Sequence, residues 1–426
     1  MPGRVLLVAF HFPPVRGSSA VHRALSFARH LPERGWEPAV LTAHPRAYPD
    51  RGDDLVAQVP AGVPVVRAFA LHAPRHLSVG GHYPIALALP DEWSSWWLGG
   101  LVSGLPLVRR FRPHAIWSTY PIATAHCIAA TLARRSGLPW VADFRDPMTE
   151  GDYPPNPWRN RVYRRIERLV TERASRVTFT TPGLRRLYAD RFPAAPSSAW
   201  SVLQNGYDED LFLAAESPPP PRRAPGDPLV LVHSGILYPS ERDPSAFYAA
   251  VAAMLAAGEI RPGEVRIKLR ATGHDAHHRG LIDAAGCGAV VALEPALPYR
   301  EALREMLAAD GLLVFQAANC NHQIPAKIYE YFRARRPILA LTDPAGDTAD
   351  ALHRAGVDAI APLDGRDAIR GALSAFLAAL RRGEAARASE SAVLASSRRA
   401  LTGDLGRVLD AATRTGPGPD PRRYTS

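Results

Sequence analysis

A chain of 426 residues with 46% hydrophobic and 22% charged side chains has a globular composition and is long enough for two domains of roughly 200 residues, each with its own core. Its net charge of +10 is spread along the chain with no basic block interleaved with aromatics, which sets anionic small substrates or a membrane face ahead of nucleic acid. Cys127, Cys287 and Cys320 lack paired spacing, which argues for a reducing compartment and against structural zinc, and no apolar run reaches the roughly 20 residues of a spanning helix.

The first apolar run, residues 5–10, is too short for a signal-peptide core and reads as a buried strand. HFPPVRGSSA follows, then a helix to about Arg34 and a strand over 38–42. Gly17, Ser18 and Ser19 therefore stand between a strand end and a helix start, where backbone amides can approach a phosphate and where a serine can equally cap the helix. Between Tyr83 and Val108, Trp93, Trp96 and Trp97 stand among apolar residues. That pattern suits a loop folded onto its own domain, and it also suits a membrane interface.

Beyond Pro113 the alternation is regular: a strand over 115–118, a helix over 122–135 and a strand over 140–144 that runs into DFRDPM. Asp143, Arg145 and Asp146 stand at that strand's end, either as a self-paired cluster or in contact with a substrate. His126 lies in an apolar helix and reads as a core histidine. An arginine-rich helix over 157–175 and a strand, helix and strand ending at Gln204 complete this half. AAESPPPPRRAPGDP then reads as a stiff interdomain linker.

Past it the pattern restarts with a strand over 229–233, the loop SGILYPSERDP holding Arg242, and a helix over 246–257. Strands over 265–271 and 290–293 and a helix over 299–309 lead to GLLVFQAANCNHQIPAKIYEYFRARRPILAL. This stretch predicts a strand, a polar loop, a helix opened by Pro325 with Lys327 in its first turn, and a further strand. Of 51 basic side chains only Lys268 and Lys327 are lysine. An ammonium at a helix start is unfavourable unless an anion lies against it. The spacing serves a phosphate site and an exposed Lys327–Glu330 helix pair equally. Ile324, Ile328 and Phe332 form the buried stripe. The whole reads as α/β: two tandem Rossmann-like doubly wound domains facing across a cleft. The N-terminal domain spans 1–213, the linker 214–228 and the C-terminal domain 229–385. A helix over 386–413, free to pack back on the N-terminal domain, precedes a disordered tail, 414–426.

QIPAKIYEYF followed by RRPILAL, with DFRDP in the first half and SGILYPSERDP opening the second, resembles a divergent branch of glycosyltransferase family 4. These are retaining transferases of the GT-B fold. The resemblance covers nearly the whole chain apart from the linker and tail. It implies transfer of a sugar from a nucleoside diphosphate sugar to a cell-surface polysaccharide, glycolipid or other small acceptor, with no metal and no cofactor, in the cytoplasm or at the inner face of the membrane. By the same resemblance Glu330 holds the donor's ribose and Lys327 faces its phosphates. Arg242 clamps the diphosphate, Gly17 lies in the loop that closes on it, and Pro298 and Tyr299 lie near the nucleobase. Arg145 stands where many members place a histidine near the reacting sugar, with Asp146 beside it. Two positions depart from the pattern: His322 replaces the first glutamate of the family's pair and Ile236 replaces the first clamp cation. His322 remains a donor-site residue, and the lost charge at Ile236 can come from Lys327. A nucleotide-sugar epimerase or hydrolase of the same fold, and an inactive scaffold subunit of a glycan assembly complex, are the alternatives.

Overall fold

The computed structural model describes residues 2–16, 20–151, 153–219, 223–224 and 226–415, and the chain forms two compact units. Unit 1 comprises Met1–Gln204 with Arg398–Ser426, and unit 2 comprises Asn205–Ser397. Unit 1 holds β1 (Gly3–Val8), β2 (Trp36–Ala43), β3 (Val65–Ala68), β4 (Ala115–Thr119), β5 (Trp140–Phe144), β6 (Arg176–Phe179) and β7 (Trp200–Val202). They pair in parallel in the order β3-β2-β1-β4-β5-β6-β7. Unit 2 holds β8 (Leu229–Ser234), β9 (Val265–Arg270), β10 (Val291–Glu294), β11 (Gly311–Phe315), β12 (Ile338–Leu341) and β13 (Ile360–Ala361). These also pair in parallel, in the order β10-β9-β8-β11-β12-β13. Both sheets are doubly wound. The strand order reverses between β1 and β4 and again between β8 and β11, and ligand crevices of open parallel sheets form beyond the strand ends at such reversals.

The strands read as continuous apolar runs because each sheet is covered on both faces. In β1, Leu6 and Val8 enter one core while Val5 and Leu7 enter the other. In β11, Leu313 and Phe315 face one core and Leu312 and Val314 the opposite one. The strands expected from the sequence lie within two residues of observed ones, and β3 and β13 are strands the sequence reading does not contain.

The division of the chain differs from the expected one. Its first break follows Gln204 rather than residue 213, because the helix Glu209–Glu216 buries Phe212 and Ala215 in a unit 2 core. Arg333, on a neighbouring unit 2 helix, pairs with Glu209 at 2.7 Å and Glu216 at 2.8 Å. The described residues of the proline-rich segment consequently fall within unit 2 rather than between the units. Its start is held down by Arg300 donating to the Ser217 carbonyl and Arg304 to that of Pro218. Pro220, Pro221, Arg222 and Pro225 of that expected linker lie outside the described residues.

The single C-terminal helix expected is two. Glu390–Ala395 stays with unit 2 through Val393 and an Arg335–Glu390 ion pair. Arg398–Thr415 joins unit 1, where Leu401, Leu405, Leu409 and Ala412 cover the sheet face formed by Val5, Leu7, Trp117 and Val141. Trp36 Nε1 donates to Asp410 Oδ1 at 2.9 Å on the same surface. Arg414 and Thr415, read as tail, belong to this helix, and residues 416–426 lie outside the described ones.

The tryptophan segment folds onto unit 1. Trp96 is fully buried beside Phe10, and Trp93 donates Nε1 to the Ala47 carbonyl at 2.9 Å. The helix Trp96–Phe111 reaches the Phe69 backbone through Gly99, where a Cβ would stand 2.0 Å from the Phe69 carbonyl oxygen. Its outer face leaves Trp97, Leu98 and Val102 exposed by 38, 61 and 76%.

All eight tryptophans precede Gln204, so their fluorescence reports unit 1 alone. Leu409 is fully buried, and Leu409→Ala is expected to destabilise unit 1 by about 2–5 kcal/mol. The check is tryptophan-detected urea unfolding, in which the midpoint should fall.

Candidate functional site

The strand reversal in unit 2 places two loops side by side, one after β8 and one after β11. β8 ends in His233 and Ser234 and gives way to Gly235, whose φ of +125° lies where side-chain-bearing residues are strained. His233 is 1% exposed. Its Nδ1 lies 2.9 Å from the Leu313 carbonyl oxygen of β11, a pure acceptor, so that nitrogen carries the proton and Nε2 is left as a lone pair. Nε2 faces Lys327 Nζ at 3.2 Å. The Gly235 turn closes on the same amine: a Cβ there would lie 2.6 Å from Nζ.

Lys327 is the first residue of the helix Lys327–Ala334 and partly buried. Ile324, Ile328 and Phe332 bury the apolar side of this segment as periodicity predicts. Burial first, and then the positive charge of Arg242, push the Lys327 ammonium down to about 7, with Glu330 opposing. Burial and the neighbouring Lys327 hold His233 well below the usual histidine range, so its imidazole is neutral at physiological pH. Arg242 is tethered by Nη1 to the Ile236 carbonyl at 2.9 Å and stacks over Tyr238 at 5.5 Å. Ile236 is 40% exposed. Its side chain supplies no charge, and in this pocket Lys327 and Arg242 do.

Glu330 lies one helical step beyond Lys327 and accepts a hydrogen bond from Tyr299 Oη at 2.5 Å. Pro298 precedes Tyr299 at the start of the helix Tyr299–Ala308. His322 is partly buried in the loop after β11, its Nε2 3.4 Å from Gln323 Nε2. That loop is braced by the buried Gln316, which donates to the carbonyls of Cys320 at 2.6 Å and Gln323 at 3.0 Å. The expected donor residues of unit 2 therefore fall into a Lys327–Arg242 group and a Glu330–Tyr299 pair, with Pro298 and His322 on the adjoining segments. His233, Gly235 and Gln316 were not picked out from the sequence. The available signal was a histidine closing the apolar run LVLVH ahead of Ser-Gly.

Unit 1 carries a different kind of charge centre at its own strand ends. Asp143, at the end of β5, is fully buried and pairs with Arg23 rather than with Arg145. Arg23 donates to Asp143 at 2.7 and 3.0 Å and to the Leu203 and Gln204 carbonyls, each at 2.8 Å. Thr119 and Thr178 satisfy the rest of the carboxylate at 2.8 and 2.7 Å. Burial alone would push the Asp143 carboxyl up, but Arg23 and the two threonines hold it below the usual carboxylate range. The DFRDP charges thus separate. Asp143 turns into the core, Arg145 is partly buried and Asp146 is exposed. Arg145 lies close enough to His11 to add to burial in pushing that imidazole down to about 3. The following turn is pinned by Glu167, which accepts from Thr149 N at 3.0 Å and Tyr188 Oη at 2.8 Å. Gly17 lies outside the described residues. His126 is a core histidine, with Nδ1 2.8 Å from Ser118 Oγ.

Two doubly wound parallel units in one chain, the second with paired cations at its strand reversal, define a protein of the GT-B fold. Residues 20–206 match the family model described as the glycosyl transferase 4-like domain. Sucrose-phosphate synthase from Thermosynechococcus elongatus is similar over 96% of this chain and 98% of its own, at 13% identity and a TM-score of 0.66. Anabaena HepE in complex with UDP and glucose is similar over 96% of this chain and 100% of its own, at 13% identity and 0.63. UDP-GlcNAc 2-epimerase from Neisseria meningitidis, bound to UDP-GlcNAc, covers 95% and 99% at 12% identity and 0.55. At these identities the likeness is one of fold. No curated protein sequence matches the chain at a significant level.

Arg23→Ala leaves the Asp143 carboxylate buried without its cation, a change worth about 3–5 kcal/mol. Tryptophan-detected unfolding should show this loss at neutral pH. The carboxyl is lowered in the folded state, so the pair stabilises above the ordinary aspartate range and is lost as pH falls through the folded value. The wild-type and variant midpoints are expected to converge at the acid end.

Proposed function

We propose that the protein is a retaining glycosyltransferase that moves a sugar from a nucleoside diphosphate sugar to a cell-surface polysaccharide, glycolipid or other small acceptor, with neither metal nor cofactor. The observation that carries this is the Lys327 amine, held at the strand reversal of unit 2 against a glycine turn and a helix start, with Arg242 alongside. When the bond between the sugar and the diphosphate breaks, negative charge grows on the leaving phosphate. Fixed cations and backbone amides stabilise that charge without having to reorganise. In this reading Lys327 and Arg242 grip the diphosphate and Glu330, positioned by Tyr299, takes the ribose hydroxyls. Pro298 and Tyr299 flank the base, and His322 faces the donor sugar. In unit 1, Gly17 belongs to the donor loop, and Arg145 and Asp146 orient the sugar or the acceptor.

Epimerisation or hydrolysis of the same donor is the second reading, favoured by the fold shared with the 2-epimerase. The products of a nucleotide-sugar incubation separate the two: a new glycoside with added acceptor supports transfer, and a free sugar or a C2 epimer without acceptor supports the second.

The setting proposed is the cytoplasmic face of the membrane, without a spanning segment. No described helix is long and apolar enough to cross a bilayer. Trp97, Leu98 and Val102 on the outer face of Trp96–Phe111, with Arg109 and Arg110 in its last turn, have the apolar and basic make-up of an interfacial surface. Flotation with anionic liposomes tests it. Leu98→Ser with Val102→Ser should reduce binding, and equal flotation would remove the membrane from the proposal.

A thermal-shift screen with UDP, GDP, ADP and their sugars should reveal one stabilising nucleotide. Lys327→Ala is then expected to weaken its binding at least tenfold by calorimetry. Lys268→Ala should leave it unchanged, because Lys268 is engaged by Glu305 at 3.2 Å. Equal affinities would refute the donor site.

A further inference from the structure

Lys327 is held from three sides, and each contact has a chemical sense. From β8 comes the Nε2 lone pair of His233, fixed in its tautomer by the Leu313 carbonyl of β11. From the turn after β8 comes the Gly235 backbone, and from the loop beyond it the charge of Arg242. From its own helix comes the opposing charge of Glu330, itself engaged by Tyr299. A histidine buried to 1% exposure with both ring nitrogens engaged cannot itself touch a ligand in the crevice. It acts through the lysine.

We propose that His233 is a positioning residue, its neutral imidazole fixing the Lys327 amine against the Gly235 turn, and that a diphosphate binding there loads this amine with a proton from solvent. The inference rests on reading the pocket as the donor-diphosphate site. The step balances simply: Lys–NH2 and one solvent proton become Lys–NH3+ as the anion enters, and the proton leaves when the nucleotide does. Without the anion the ammonium is disfavoured by burial and by Arg242, and Glu330 compensates only in part. With it, two negative phosphates face the amine. Loading makes donor affinity fall by up to about tenfold per pH unit above neutrality.

The chain offers a direct readout, because lysine labelled with 13C at Cε gives two resonances in a protein with two lysines. Lys268→Arg assigns them. In wild type the Lys327 resonance should titrate with a midpoint near 7. In His233→Phe the ring volume stays but the acceptor goes, and the midpoint should move further down. His233→Gln restores an acceptor and should bring it back, and an unchanged melting temperature shows that each variant folds. A Lys327 midpoint near the free-lysine value of about 10.4, or one indifferent to His233→Phe, overturns the assignment of His233.

Calorimetry of UDP-glucose, GDP-mannose and ADP-glucose at pH 8, in two buffers of different ionisation enthalpy, reads the loading. Uptake close to one proton in wild type and none in Lys327→Arg supports it. Tight binding without uptake overturns it and leaves the donor site standing. Binding of none of the three, with the resonances titrating as expected, overturns the diphosphate assignment and with it the loading step, while the His233–Lys327 couple stands.

Discussion

A buried primary amine must be compensated, and the way unit 2 compensates Lys327 organises everything around it. Parallel strands of reversed order bring the ends of β8 and β11 side by side. One carbonyl of β11 fixes a histidine of β8, and that histidine presents a lone pair to the amine. The compensation is partial. Arg242 adds a second positive charge instead of a negative one, and Glu330, the carboxylate that opposes it, accepts a hydrogen bond from Tyr299. A pocket built with a deficit of negative charge is poised for an anion, and the glycine turn lets one approach the backbone closely.

Unit 1 solves the opposite problem at the end of β5. Its strand end carries a buried carboxylate, and the compensation there is complete: two contacts from Arg23 and two threonine hydroxyls leave Asp143 with no remaining demand. The same guanidinium grips the carbonyls of Leu203 and Gln204, the last residues before the chain leaves the unit. Satisfied charge serves architecture here. Unsatisfied charge, in unit 2, serves binding.

Most of the fold was legible because buried parallel strands write continuous apolar runs, as at Leu312–Phe315, and covering helices write four-residue stripes, as at Ile324, Ile328 and Phe332. The division between units was not. A run of prolines carries the same composition whether it spans two bodies or is tied down within one, and only the Arg300 and Arg304 contacts decide. The cationic side of the candidate site could be read from Lys327, rare by type and placed at a helix start. Its partner could not, because a histidine ending an apolar strand looks like any core histidine until the neighbouring strand is known. Arg23 is a parallel case. On its helix it is one polar residue among several, and its partner lies 120 positions away.

The helix Arg398–Thr415 belongs to unit 1 although 193 residues of unit 2, Asn205–Ser397, separate it from the rest. During synthesis the sheet face of Val5, Leu7, Trp117 and Val141 must therefore wait, apolar and uncovered, until Arg398–Thr415 has left the ribosome behind unit 2. Unit 2, encoded later, is the first to be complete. Unit 1, made first, is finished last, and its open sheet face is the apolar surface that synthesis leaves exposed in the interval.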